Sequence, residues 1–165
     1  MTPLKLYIAS DHAGFELKEI LVKKSEVLGI QIEWIDLGCF SKDSVDYPNF
    51  AQILVEKVLH DQKVEKLTFE PRGILICGSG VGMSIGANRF EGIRAVLALR
   101  PDVAKLSRQH NASNVLCLGS RILTLIEAEY IIEQWLRTPF EGGRHQVRTE
   151  LLDNYRAKNK KGIQS

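Results

Sequence analysis

The sequence predicts an α/β protein, a three-layer sandwich in which a parallel sheet carries helices on both faces. Three observations lead there. Short apolar runs bounded by turn residues alternate with longer segments of helical period. The runs are mostly Val, Ile, Leu and Ala without polar alternation, as strands buried on both faces require. Several of them end in glycines and polar residues able to do chemistry, and in such a sheet ligands bind outside the carboxyl ends of the strands.

Five parallel strands follow from the pattern, at 4–9, 30–37, 73–77, 93–99 and 114–118. After the first, Phe15, Ile20, Leu21, Val27 and Leu28 form an apolar stripe that predicts one helix, stopped by Gly29 in the C-cap position where a positive φ costs little. A second helix is expected over 48–59, with Pro48 in its first turn. Residues 61–71, where charges mix with Val64, Leu67 and Phe69, read as a connection longer than usual for this kind of fold, and no chemistry is assigned to them. Further helices are expected over 82–89, 101–109 and 124–136. A last one starts near Arg144 and runs into a basic tail, 158–165, expected to fray.

At 165 residues, of which 44% are hydrophobic and 25% charged, the chain suits one globular domain, taken as 1–157, and excludes a disordered, collagenous or coiled-coil chain. A net charge of +2 argues against nucleic acid or an anionic membrane as the partner, so any anion must be captured locally. Cys39, Cys77 and Cys117 are an odd, widely spaced set that suits reduced thiols better than disulfides. The first residues lack a basic, then apolar leader, and no run reaches the ~18 apolar residues of a membrane span. These features predict a soluble, cytoplasmic protein.

Cys77-Gly78-Ser79-Gly80-Val81-Gly82 places a thiol at a strand end, then glycines, then a helix start. Glycine lets backbone N–H groups approach an anion closely, and such a field lowers a thiol's pKa. The competing reading is a tight turn beside a structural cysteine. Two familiar phosphate loops do not fit. Met83 stands where a dinucleotide fingerprint needs its third glycine, and also where a cysteine phosphatase loop needs arginine. Asp11-His12 pairs a carboxylate with an imidazole that can move protons or grip a polar ligand, or else caps the first helix. His110-Asn111 allows a similar pair of readings at a helix C-terminus. Glu141-Gly142-Gly143-Arg144-His145-Gln146-Val147-Arg148 launches a helix on which Arg144 and Arg148 point the same way, suiting a phosphate, or simply water. Cys39 and Cys117 read as packing residues. His12, His60, His110 and His145 are scattered with no ligand-pair spacing, so no metal site is expected.

Taken together, Ser10-Asp-His-Ala-Gly-Phe, Asp46-Tyr47-Pro48, Gly73-Ile-Leu-Ile-Cys-Gly-Ser-Gly-Val-Gly, Leu106-Ser-Arg-Gln-His-Asn, Gly119-Ser-Arg and Glu141-Gly-Gly-Arg-His resemble ribose-5-phosphate isomerase type B, of the family that includes galactose-6-phosphate isomerase. Six motifs in one order, over roughly 4–155, make the resemblance specific. It implies a Rossmann-like α/β/α sandwich and a homo-oligomer, dimer or tetramer, with sites shared at the subunit interface. It also implies no metal or other cofactor, and interconversion of ribose 5-phosphate and ribulose 5-phosphate, a pentose phosphate pathway step. By motif, Cys77 takes the C2 proton while Ser79 and the amides of Gly78, Gly80, Val81 and Gly82 hold the enediolate oxygens. His110 opens the furanose ring, Asp11 binds or relays hydroxyl protons, and Asn111 orients the substrate. His12, Arg121, Arg144 and Arg148 hold the phosphate, with His110 and Asn111 supplied by a neighbouring subunit. Two departures stand out: Ser79 where many members have Thr, and the longer 61–71 segment. The competing readings are an isomerase of six-carbon sugar phosphates, such as allose 6-phosphate or galactose 6-phosphate, and a phosphate-binding module without catalysis.

Overall fold

The computed structural model describes residues 3–65, 70 and 73–155. Its elements are β1 (Leu4–Ser10), α1 (Phe15–Val22), β2 (Glu26–Val27), β3 (Ile30–Asp36), α2 (Tyr47–Glu65), β4 (Gly73–Cys77) and α3 (Val81–Ala87), then β5 (Ala95–Leu97), α4 (Pro101–Asn111), β6 (Val115–Gly119), α5 (Leu125–Arg137) and α6 (Arg144–Asp153). The sheet order is β2-β3-β1-β4-β6-β5. Five strands run parallel, as expected, and β2 adds a sixth that is antiparallel to β3.

β2 corrects the expected first helix, which ends at Val22 rather than at Leu28. Leu28 and Gly29 both adopt positive φ, at 45° and 82°, and close a tight two-residue hairpin in which Val27 pairs with Ile30. Gly29 therefore does supply a left-handed residue, in a hairpin turn instead of a helix cap. Val27 keeps its buried place, because a strand residue can turn inward as readily as a helical one. A second correction concerns α2, which continues through the start of the segment expected to be a connection. Asp61 is buried there and accepts a 2.8 Å hydrogen bond from the Tyr7 hydroxyl, so a tertiary contact extends the helix beyond its apolar pattern. Leu67, Phe69 and Pro71 of that segment, and the tail 158–165, lie outside the described residues. β5 is shorter than expected. Ile93 enters a turn whose N–H is accepted by the Phe90 carbonyl, and the Asn88 side chain bonds both polar groups of Ala95.

Two apolar layers flank the sheet. On one face Leu6, Ile8, Ile74 and Ile76 meet Leu17 and Leu21 of α1, Ala104 of α4, and Ile131, Ile132 and Trp135 of α5. On the other, Tyr7, Ala9, Leu75 and Cys117 meet Leu54 and Val58 of α2 and Met83 of α3. α6 packs on α4. Fully buried Trp135 donates its indole N–H to Ser113, and Arg108, 2% exposed, donates to the carbonyls of Ser113 and Thr138. Burial lowers the pKa of this guanidinium to about 10, still far above neutrality. Among the described residues no helix is long and apolar enough to cross a membrane.

The strand order decides where a ligand can sit. From β1 the chain moves to β3 on one side, then returns to β4 on the other, so the order reverses between β1 and β4. The loop after β1 leads to the α1 face and the loop after β4 to the α3 face, which opens a crevice between them.

Glycine marks how tightly this edge is built. A Cβ at Gly14 would lie 2.5 Å from the Ile76 carbonyl oxygen, a backbone atom that cannot swing aside, whereas one at Gly86 would meet Ala51 Cβ at 3.4 Å and the Tyr47 ring at 4.0 Å, ordinary van der Waals distances. Gly14→Ala should therefore destabilise the protein by about 1–3 kcal/mol through overpacking. Gly86→Ala, inside a helix, should be neutral or stabilise by up to about 1 kcal/mol. Urea unfolding of the two variants checks the opposite signs.

Candidate active site

The crevice is a cavity of about 340 Å³ lined by Asp11, His12, Tyr47, Cys77, Gly78, Ser79, Gly82, Arg121 and their neighbours. β4 delivers Cys77 at its carboxyl end, where Sγ accepts a 3.1 Å hydrogen bond from Gly80 N–H. A sulfur carrying negative charge accepts such a bond better than a neutral one. The turn that aims this N–H needs a left-handed residue at Gly80, φ 78°, and any Cβ there would strike Leu97 at 2.5 Å. Val81, exposed, begins α3 and donates its N–H to Ser79 Oγ at 3.3 Å. Gly119 of β6 lies so close that a Cβ would sit 2.7 Å from the Ser79 carbonyl group.

Ser120 ties three loops together. Its hydroxyl lies 2.7 Å from the Ala13 carbonyl and 3.2 Å from that of Cys77, and its N–H donates to the Cys77 carbonyl as well. Arg121 follows, with its guanidinium beside Gly78, where a Cβ would meet it at 3.2 Å. Asp11 is 7% exposed, and its carboxylate accepts the Gly14 N–H at 3.0 Å. It thus braces the turn before α1, whose N-cap is Gly14 with no side-chain cap bond, and it also lines the cavity. His12 Nδ1 accepts the Val45 N–H at 3.2 Å, which leaves the proton of the neutral ring on Nε2, as a donor. Tyr47, at the start of α2, carried no expected role; its ring covers Gly82, where a Cβ would lie 2.9 Å from the ring. The Asp46-Tyr47-Pro48 string was its only signal in the sequence.

The remaining expected residues form a second group, none of which lines this cavity. His110 and Asn111 end α4, and the left-handed cap that follows is Ala112, φ 48°, so Asn111 is not the cap. Asn111 instead edges a larger cavity of about 510 Å³ between β5, α4 and α6, which contains no other expected site residue. Arg144 and Arg148 are exposed on α6, which Gly142 and Gly143 launch with positive φ.

Two of the histidines scattered along the sequence meet in the fold. The scattered histidines hid a cluster: the His110 and His145 rings stack at 4.3 Å, and Glu141 Oε2 lies 4.0 Å from His110 Nε2 and 3.8 Å from His145 Nε2. The Glu141 N–H donates to the Gln109 carbonyl and holds the loop beside α4. Burial first, then the charges of His110, Arg144 and Arg148, hold His145 below the ordinary imidazole range. The spacing of Glu141 and His145 was visible in the sequence, but their meeting with His110 required the packing of α6 on α4.

Cys117 is fully buried, and that burial, with Cys77 nearby, pushes its thiol far above the ordinary range. It should resist iodoacetamide in the folded protein at about pH 8, near the ordinary thiol pKa, and react only after unfolding in urea. Peptide mass mapping before and after denaturation checks this; labelling of the native protein at Cys117 contradicts it.

Comparison with known proteins shows the family. A family model described as Ribose/Galactose Isomerase matches residues 6–152. The chain is 43% identical over 148 residues to ribose-5-phosphate isomerase B of Escherichia coli, covering 90% of this chain and 93% of that protein. The crystal structure of a ribose 5-phosphate isomerase from Thermotoga maritima superposes with a TM-score of 0.80 at 45% identity, covering 92% of this chain and 98% of that one. The isomerase B of Mycoplasma genitalium, solved with bound ribulose-5-phosphate, gives 0.83 at 36% identity, covering 96% and 99%. Family model, sequence and fold all match over nearly the whole length, and the chain belongs to the ribose/galactose isomerase family.

Proposed function

We propose that this chain is an aldose–ketose isomerase that interconverts D-ribose 5-phosphate and D-ribulose 5-phosphate through an enediolate. The observation that carries the reading is the Cys77 thiol at the switch-point cavity, with a backbone donor on its sulfur and Asp11, His12, Ser79 and Arg121 around the same space. The relative solved with ribulose-5-phosphate supports the choice of a five-carbon substrate.

The thiolate of Cys77 takes the C2 proton of the open-chain aldose and returns it to C1. Ser79 and the backbone of the Cys77–Gly82 loop stabilise the charge that develops on the enediolate oxygens. Asp11 moves the hydroxyl proton between O2 and O1, so that each transfer leaves the acid and base groups as they began. His12, whose Nε2 carries the free proton, and Arg121 meet the polar end of the sugar phosphate.

His110, Asn111, Arg144 and Arg148 complete the site from a second copy of the chain. The support is spatial: they share a surface of α4 and α6 and none of them reaches the cavity of their own chain. His110 opens the furanose ring by proton transfer at the ring oxygen, Asn111 orients the sugar, and the two arginines, exposed and four residues apart, close on the phosphate dianion.

Cys77→Ala should fold and still bind sugar phosphate but lose nearly all turnover and C2 proton exchange in D₂O. Exchange at the wild-type rate would assign the base to another group. Mixing Cys77→Ala with His110→Ala tests the shared site, because only hybrid dimers carry one intact constellation. Two nearly inactive variants, unfolded together and refolded, should recover about a quarter of wild-type turnover for randomly paired dimers. No recovery, despite hybrid formation shown by mass spectrometry, would place both residues in one chain's site.

A further inference from the structure

We propose that His110, Glu141 and His145 form a reversible site for a divalent transition metal of the zinc class, and that its occupancy inhibits the isomerase. The binding claim stands on the cluster itself. The inhibition rests on the role assigned to His110 above.

Two imidazoles and one carboxylate are the donor set that zinc takes in open sites with three protein ligands, leaving a fourth position for water. Here one ligand atom from each residue lies within 4.8 Å of the others. Tetrahedral zinc, with bonds of about 2.0–2.2 Å, spaces its ligand atoms about 3.3–3.5 Å apart, so the two Glu141 pairs must close by about 0.5 Å and the set as a whole by up to about 1.5 Å. The side chains that would move are free to do so: His110 is 39% exposed and Glu141 48%, while His145, 8% exposed, forms the fixed wall. The nearly parallel rings, 11° apart, require His110 to turn out of the stack so that its Nε2 lone pair meets the other two ligands. Arg144 Nε, 3.5 Å from His145 Nε2, must also withdraw, and as an exposed side chain it can. With Arg144 and Arg148 close by, a cation binds more weakly than in a closed four-ligand structural site, which suits a reversible inhibitor better than a resident cofactor.

Occupancy uses the His110 Nε2 lone pair, and the ring-opening proton transfer then has no group to carry it. The enzyme is accordingly active without metal and slowed by it, and the cluster answers to the metal content of its surroundings.

The test titrates the full-length protein with Zn²⁺ and Co²⁺ while following turnover and the Co²⁺ absorption spectrum. The expected result is visible bands of four-coordinate Co²⁺ without a thiolate charge-transfer band, loss of turnover by about tenfold or more, and full recovery on adding EDTA. Glu141→Gln and His145→Gln should each weaken metal binding by about tenfold or more and remove the inhibition, measured against each variant's own metal-free rate. Cys77→Ser should bind Co²⁺ as the wild type does. Unchanged inhibition in Glu141→Gln and His145→Gln, or a thiolate band lost in Cys77→Ser, would place the metal on Cys77 and overturn the proposal. Binding at the cluster with no effect on turnover would overturn the inhibition. A metal-free protein with no isomerase activity that still shows these bands refutes the proposed function and leaves the metal site standing.

Discussion

The close approach of three backbone loops at the carboxyl edge of the sheet is the constraint on which the rest depends. Gly14 lies against the Ile76 carbonyl, Gly119 against the carbonyl group of Ser79, and Gly80 against Leu97 and the Leu118 backbone. At Gly14 and Gly119 a Cβ would come within 2.5 to 2.7 Å of backbone atoms, and at Gly80 within 3.0 Å of the Leu118 backbone, so backbone contacts set much of the spacing between the β1, β4 and β6 loops. Ser120 adds polar stitches across the same loops. Cys77, Asp11 and Ser79 inherit their relative positions from this framework, which holds a reacting constellation to fractions of an ångström better than long side chains can.

A buried charge holds the other wall. Lys18 of α1 is fully buried, yet its ammonium pairs with Asp36 at the end of β3 and with Glu19, and it faces the rings of Phe15 and Phe40 at 5.5 and 5.4 Å. Asp36 in turn accepts the Gly38 N–H, and residues 38 and 39 bond both polar groups of Ser10. The chain beyond them reaches Val45, whose N–H sets the tautomer of His12. Removing Asp36 would leave the buried Lys18 ammonium with Glu19 as its acidic neighbour, whereas removing Lys18 would leave Asp36, partly exposed, with the Gly38 N–H. This pair closes the loop after β3, whose continuation brings the Val45 N–H to His12.

The second surface obeys a different logic. His110 and Asn111 end α4, exposed Arg144 and Arg148 lie on α6, and Glu141 is the acidic neighbour of His110 and His145. Two exposed guanidinium groups four residues apart on one helix present several N–H donors on the same side, a chemistry that favours an anion over a cation. Burial first, and then the charges of His110, Arg144 and Arg148, hold His145 below the ordinary imidazole range beside its stacked neighbour.

Much of this was legible in the residues. Parallel strands buried on both faces leave apolar runs that need no context to be seen, and Gly80 of the Cys77 loop with Gly142 and Gly143 announce left-handed backbone that other residues resist. The polar strand ends were visible for the same local reason. The hairpin at Leu28-Gly29 was not, because its apolar residues satisfy a helical period and a strand pairing equally well, and the partner strand decided between them. Asp61 stayed in α2 because its carboxylate accepts the hydroxyl of Tyr7, far away in sequence. The placement of the switch point between β1 and β4 depends on strand order, which no local pattern encodes. The meeting of His110 with Glu141 and His145 depends on one helix packing over another. The sequence alone determined the elements and the chemistry available at their ends, because burial and backbone strain act residue by residue; the tertiary structure decided which of those groups meet, because that is a property of chain crossings and not of any segment.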